Sequence, residues 1–352
     1  MPSFRAKDFR GGCMYKKLIA IMLTLAVLFS FAGCSAAETE DLTSHTLTSD
    51  RSGLFGEIEN TESGDSNKTS SVTPLFYKVT DDDGDVLWLL GSIHIGDESF
   101  YPLPDYILSA FDGADTLAVE VDVIKYEKDM DIDDVFEPYR LPYGYTAKDY
   151  MDEETYEAAC DIIGDEIIEY LDFNSYSPAL WVQFVEEFAY MEMELDMMMG
   201  VDRHLTNRAY DQKKKVVDIE DPDEHMDIYL TFSDELIDFM LKDAIITYER
   251  QDEYKKLIED MMESWKKGDK EGIVGPNVPD TLYAMTEEEK ILYEEYNKKI
   301  MTDRDKIMID YIKDALDTEE EVFVCVGAAH VLSNGGIVDT LKADGYKVEQ
   351  VQ

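Results

Sequence analysis

The stretch Glu321–Gly336, EVFVCVGAAHVLSNGG, reads as a buried β-strand running straight into a Gly-x-x-His and then a glycine-rich turn. Val322–Val326 is apolar throughout, as a strand covered on both faces of a sheet has to be. A histidine at the end of such a strand has two readings. His330 is either a packed core residue or one half of a site whose other half lies elsewhere. A second segment has the same form: VLWLLGSIH sets the strand Val86–Leu90 before Gly91-x-x-His94. With 20 glycines and 5 histidines in 352 residues, chance supplies only about 0.3 such matches. A terminal glycine lets the backbone turn sharply, and the residues just beyond sit at the carboxyl edge, where open α/β sheets bind their ligands. Gly91 and Gly327 are therefore expected to support a site that His94 and His330 reach.

Working outward, Phe76–Thr80 and Val86–Leu90 flank an Asp/Gly turn as a hairpin. Further strands are expected at Thr116–Val121, at Val216–Ile219 and in the closing DGYKVEQVQ. Helical segments separate them, which predicts an α/β fold: a mixed central sheet flanked by helices, with a long helical insert over about 125–315. Within the insert, Ser177 caps a helix that begins at Pro178, and Trp181, Phe184, Val185 and Phe188 follow the spacing of one buried face. Met191, Met193, Met197, Met198 and Met199 come next, either as core filler or as an adaptable groove. A long helical region spans Ser233 to Lys267, and Thr286-x-x-Glu289 is a capping box.

The chain carries 32 basic and 78 acidic residues, a formal charge of −46. That balance argues against nucleic acid and against docking on anionic lipid through a basic patch. It suits an exported protein kept soluble by charge, or one that meets a cationic peptide. Lys16 and Lys17 precede an apolar run from Leu18 to Phe31, and Ala32-Gly33-Cys34 follows: a signal peptide over 1–33. The last residues resemble the lipobox of bacterial lipoproteins, with Phe31 where leucine usually stands. This implies lipidation of Cys34 and a lipid-anchored protein on the extracytoplasmic face of the cell membrane. Met14 offers an alternative start. Residues 34–73 read as a disordered acidic tether, and 74–352 as the folded domain. Cys160 and Cys325 do not make a disulfide scaffold.

Two histidines reaching one crest can share a metal ion. Glu120, in or just beyond the apolar strand of ADTLAVEVDV, is costly there unless paired or metal-bound. Strand alternation puts Asp122 on the same face, as a supporting residue. A histidine–histidine–carboxylate set with open positions suits metal-assisted hydrolysis. Arg304 shares a helical face with Ile307, Met308 and Tyr311, so it meets either a carboxylate in a structural ion pair or a substrate oxygen. Glu220, ending the strand of VVDIE, is a further supporting candidate. His45 lies in the tether, while His204 and His225 read as surface residues. The chain has no His-Glu-x-x-His, Gly-x-Ser-x-Gly, P-loop or dinucleotide fingerprint.

Taken together, LLGSIHIGDESFYPLPDYILSAFDGADTLAVEVDV, SPALWV, GVDRHLTNRAYDQKKKVVDIED, TDRDKIM and VCVGAAHVLSNGGIVDTLKADGYKV resemble, in order, the TraB/GumN group, which includes the Tiki proteases and pheromone-shutdown proteins. The resemblance implies an arrangement related to erythromycin-esterase-like and ChaN-like proteins. It also implies a peptidase that acts on a peptide or protein substrate with a divalent metal, manganese or cobalt first and zinc as a further candidate. By motif, His94, Glu120 and His330 would be both metal ligands and catalytic residues, and Arg304 would act beside them. Asp305 departs from the pattern, which commonly has asparagine after the arginine. A non-catalytic peptide-sequestering lipoprotein and an esterase are the alternative functions.

Overall fold

The computed structural model describes residues 70–274 and 286–352. The expected signal peptide, Cys34, His45 and all but the last residues of the tether lie outside the described residues. The strands are β1 (Phe76–Thr80), β2 (Val86–Ser92), β3 (Thr116–Val119), β4 (Lys215–Asp218), β5 (Val322–Gly327) and β6 (Lys347–Val351). They form one sheet in the order β4-β3-β5-β2-β1-β6. Four neighbours, β4, β3, β5 and β2, run parallel, and β1 pairs antiparallel with both β2 and β6. The α/β class and mixed sheet read from the sequence are therefore present.

Both faces of this sheet are covered, which is why β3 and β5 contain only buried residues. Phe323 sits at the centre, with Phe76 stacked on it at 5.6 Å and Phe111 edge-on at 5.5 Å. A second core is almost wholly helical, built on Trp181, Phe173, Leu180 and Val185 against Leu236, Leu241 and Ile245. The helix Pro178–Glu192 starts at Pro178, as its sequence predicts. Of its expected face, Trp181, Phe184 and Val185 are buried and Phe188 is partly so. Met193 and Met197 fill the first core, while Met191 and Met198 stay exposed. No helix among the described residues is long and apolar enough to cross a membrane.

Three expectations shift. The helical insert over 125–315 is not continuous, because β4 returns to the sheet edge within it. A parallel β3–β4 pair needs a crossover, and that crossover carries the helices from Val123 to Asp211. Helices Val201–Asp211 and Asp303–Leu316, also inside the insert's span, contribute Val201, Leu205, Met308 and Ile312 to the sheet's own core. The Ser233–Lys267 helix breaks at Arg250. Finally, β3 stops at Val119, one residue before Glu120.

Candidate functional site

Each of the four parallel strands carries a polar side chain one to three residues past its carboxyl end: His94 after β2, Glu120 after β3, Glu220 after β4 and His330 after β5. The register pairs Gly91 with Val326 and Ser92 with Gly327, so the two Gly-x-x-His motifs leave the sheet side by side. Trp265 Nε1 donates to the Gly91 carbonyl at 2.7 Å and fixes the end of β2. Past β5 the chain enters the short helix Ala328–Leu332, which buries His330.

Gly327 is the centre of the arrangement. A Cβ on it would lie 3.1 Å from Glu120 Oε1, 3.4 Å from His330 Cδ2 and 3.5 Å from His94 Nε2. The absent side chain thus leaves a hollow lined by the three residues that sequence singled out. Its backbone N–H donates to Glu120 Oε1 at 2.6 Å, and His94 Nε2 approaches the same oxygen at 3.9 Å.

The other Glu120 oxygen faces Arg304. The guanidinium donates from Nη2 to Glu120 Oε2 at 2.6 Å and to Glu220 Oε2 at 2.8 Å. Its Nε donates to Glu220 Oε1 at 2.8 Å, and Nη1 reaches the Ile300 carbonyl at 3.4 Å. Arg304 is 5 % exposed, and beside these oxygens its Nη2 lies 3.4 Å from His225 Nδ1. Of its expected neighbours, Met308 is buried but Ile307 is 45 % exposed. Burial would raise the Glu120 pKa, but Arg304 above all, and then His330, His94 and His225, hold it far below the usual carboxylate range. Glu220 is lowered against its burial in the same way, chiefly by Arg304 and then His225. Burial would lower the pKa of Arg304, and the two glutamates raise it instead.

Both histidines are backed by carboxylates. His330 Nδ1 lies 2.7 Å from Asp305 Oδ1, and His94 Nδ1 lies 3.1 Å from Asp202 Oδ2. Burial would lower the His94 pKa, but Asp202 and then Glu120 outweigh it, and the ring is held above its ordinary range.

His225 corrects the sequence reading. It is buried, not a surface residue, and its Nδ1 sits 2.9 Å from Glu220 Oε2. Asp221-Pro222 caps and opens a five-residue helix, and that helix docks His225 behind Glu220. His204 is also more enclosed than expected: it packs on Tyr101 with ring centroids 4.2 Å apart, and burial, followed by Arg208, lowers its pKa to about 4. Asp122 works elsewhere, because the strand ends before it. Its Oδ1 accepts from Lys125 N at 3.1 Å to cap the next helix, and its Oδ2 takes the Tyr210 hydroxyl.

Whether these residues suit a cation has an answer in their chemistry. Two carboxylates, those of Glu120 and Glu220, hold one guanidinium, and two more, Asp202 and Asp305, stand behind the histidines. Glu120, Glu220 and His225 bring ligand atoms within 4.8 Å of one another, yet the cation among them is Arg304 itself. The Gly327 hollow is bordered instead by His94 Nε2, Glu120 Oε1 and the Cδ2 edge of the His330 ring, imidazole and carboxylate groups of the kind a divalent metal takes as ligands.

Comparison with protein-family models matches residues 75–350 to the TraB/PrgY/gumN family. Neither the curated proteins nor the solved structures yield a match.

Proposed function

Because the chain belongs to the TraB/PrgY/gumN family, we propose that it is a metal-dependent hydrolase, a peptidase held at the outer face of the cell membrane through Cys34. The observation that carries this reading is the convergence of His94, Glu120 and His330 on the hollow above Gly327. These three would hold a divalent cation, for which the resemblance favours manganese or cobalt. When bound, the cation supplies Lewis-acid polarisation of the scissile carbonyl.

The protein's own groups divide the remaining work. Glu120 is pinned through both oxygens and stays anionic, so it serves as a fixed ligand; a general base needs a pKa nearer the working pH. Arg304 spends its donors on Glu120 and Glu220, which makes it a positioning residue in place of the carbonyl-oxygen stabiliser that its sequence suggested. Gly327 keeps the hollow open, and its N–H holds Glu120 in line.

The test is cleavage of a peptide library by the full chain with manganese or cobalt. Chelator, His94→Ala and His330→Ala should each lower the rate by at least about 100-fold. A second reading has one observation in its favour. The His94–Asp202 contact has the make-up of a base with its orienting carboxylate, as metal-free acyl hydrolysis would use, and cleavage of esters that survives chelator would support it. Peptide binding with no cleavage under either condition would defeat both and leave a sequestering lipoprotein.

A further inference from the structure

We propose that Asp202 and Asp305 are a matched pair of positioning residues: each holds its histidine with the proton on Nδ1, so that His94 and His330 both present Nε2 to a divalent cation at the Gly327 hollow. The ligand in this statement rests on the metal reading above; the tautomer does not.

An ionised carboxylate only accepts hydrogen bonds. Asp305 Oδ1, hydrogen-bonded to His330 Nδ1 at 2.7 Å, therefore leaves the lone pair of that neutral ring on Nε2, and Asp202 Oδ2, in ion-pair contact with His94 Nδ1 at 3.1 Å, favours the same tautomer. The His94 Nε2 already faces Glu120 Oε1. His330 Cδ2, the atom bonded to its Nε2, borders the space that a Gly327 Cβ would take. His94 thus turns its Nε2 to the hollow, and His330 turns the Cδ2 edge of its ring to the same place.

Each carboxylate is held by rigid structure. Asp202 opens the helix Val201–Asp211, whose Val201 N–H donates to the Ile93 carbonyl at 2.9 Å. A Cβ at Gly200 would lie 2.4 Å from the His94 carbonyl oxygen, so only glycine lets this helix start so close to the histidine's own backbone. Arg203 then locks the helix to Glu127 through two bonds of 2.6 and 2.7 Å.

Asp305 is next to Arg304 on the helix Asp303–Leu316, directly after a π-helical turn at Lys298–Thr302. Turns of that kind alter the phase of a helix, frequently at functional sites. One helical turn here fixes Glu120 through Arg304 and His330 through Asp305. The resemblance places asparagine at this position. An amide could accept the same hydrogen bond without charge, so this chain adds an anion where its relatives' pattern has none.

Two measurements on the full chain in mild detergent test the pair. The first is long-range 1H–15N NMR of metal-free protein labelled at histidine, with His94→Ala and His330→Ala used for assignment. Wild type should show both neutral rings as Nδ1–H; Asp202→Ala and Asp305→Ala should each release only the ring it contacts. The second is calorimetric titration with Mn2+. Each alanine variant should bind about 10- to 100-fold more weakly. Asp305→Asn should restore the His330 tautomer and part of the affinity, and the exposed control Glu349→Gln should bind as wild type does. Circular dichroism confirms folding, and Asp202→Leu, which also lacks an acceptor, replaces Asp202→Ala if the latter does not fold. Wild-type binding with variants within twofold, or with unmoved tautomers, overturns this proposal alone. A wild type that binds no divalent cation overturns it together with the metal reading.

Discussion

Replacing Arg304 by methionine keeps much of the side chain's length and removes its charge, which strands Glu120 and Glu220 in the interior. Glu120 is 4 % and Glu220 7 % exposed, and together they lose three hydrogen bonds of 2.6–2.8 Å. Breaking a buried pair by deleting one partner costs about 3–5 kcal/mol. The geometry gives an independent bound. A stranded carboxylate escapes by taking up a proton, and with an ordinary value of 4.5 that costs about 3.5 kcal/mol per group at pH 7. Two groups set a ceiling near 7 kcal/mol, on the same basis, and the remaining contacts to Gly327 N and His225 reduce it.

The sign with pH follows from the direction of the shifts. In the wild type the folded pKa values of Glu120 and Glu220 are depressed, so their stabilisation is present above pH 4.5 and drains away as pH falls toward the folded values. In the variant the same groups become raised acids, destabilising at neutral pH and nearly harmless once protonated at pH 4.5. Urea unfolding followed by circular dichroism at pH 7 and 4.5 should show a loss of about 4 kcal/mol that shrinks by more than half in acid. A loss under about 1 kcal/mol at pH 7, or an equal loss at both values, would refute the reasoning.

Glu186 and Glu187 predict the opposite trend in the helical core. Burial pushes Glu187 up to about 8; burial likewise takes Glu186 to about 8, against the Tyr229 hydroxyl bond and with help from Asp243. A raised carboxyl stabilises the fold only while protonated, so stability should fall as pH rises from 4.5 to 8. Glu187→Gln should flatten that slope and gain at most about 5 kcal/mol at pH 8, and an unchanged slope in urea titrations would count against it. Gly327→Ala fills the hollow between Glu120, His94 and His330 and should lower Mn2+ affinity and peptide cleavage by at least about tenfold, while the methyl, 3.1 Å from the pinned Glu120 Oε1, costs about 1–3 kcal/mol of urea stability. Retained affinity in that variant would place the cation elsewhere.

The parts of the site that were legible in the sequence are those set by local backbone rules. An apolar strand ending in glycine announces its crest, so His94 and His330 stood out, and a glutamate at the end of an apolar strand has to be explained. Arg304 was conspicuous as a charge on an apolar helical stripe. Asp202 and His225 were not, because their roles come from long-range packing, and Asp305 stood out only as a departure from the asparagine that commonly follows the arginine. Asp202 looks like any acid in the first turn of a helix, and 78 acidic residues supply ample camouflage. His225 follows an Asp-Pro cap that reads as surface, and only the docking of its short helix behind Glu220 and Arg304 buries it. Glu220, ending VVDIE as Glu120 ends its own strand, was a supporting candidate for the same reason, since each parallel strand delivers a side chain just past its end.

Glu120 explains why the crest needs both an arginine and two histidines. A carboxylate buried at the end of a strand requires compensation on each oxygen, and the two oxygens look in different directions. Oε2 meets Arg304, which Glu220 and His225 anchor from behind; Oε1 meets the Gly327 N–H and turns toward His94. The acidic trio of Glu120, Glu220 and His225 therefore resembles a metal site only if Arg304 is ignored. With the guanidinium in place, one cation position is filled by the protein, and Glu120 is held in the orientation that offers its second oxygen to another. Deleting Arg304 should thus weaken Mn2+ binding without removing any ligand, whereas Glu220→Gln, which leaves Arg304 its bond to Glu120, should weaken it less. The reverse order of effects in a calorimetric titration would mean that Glu120 is oriented by something other than the arginine.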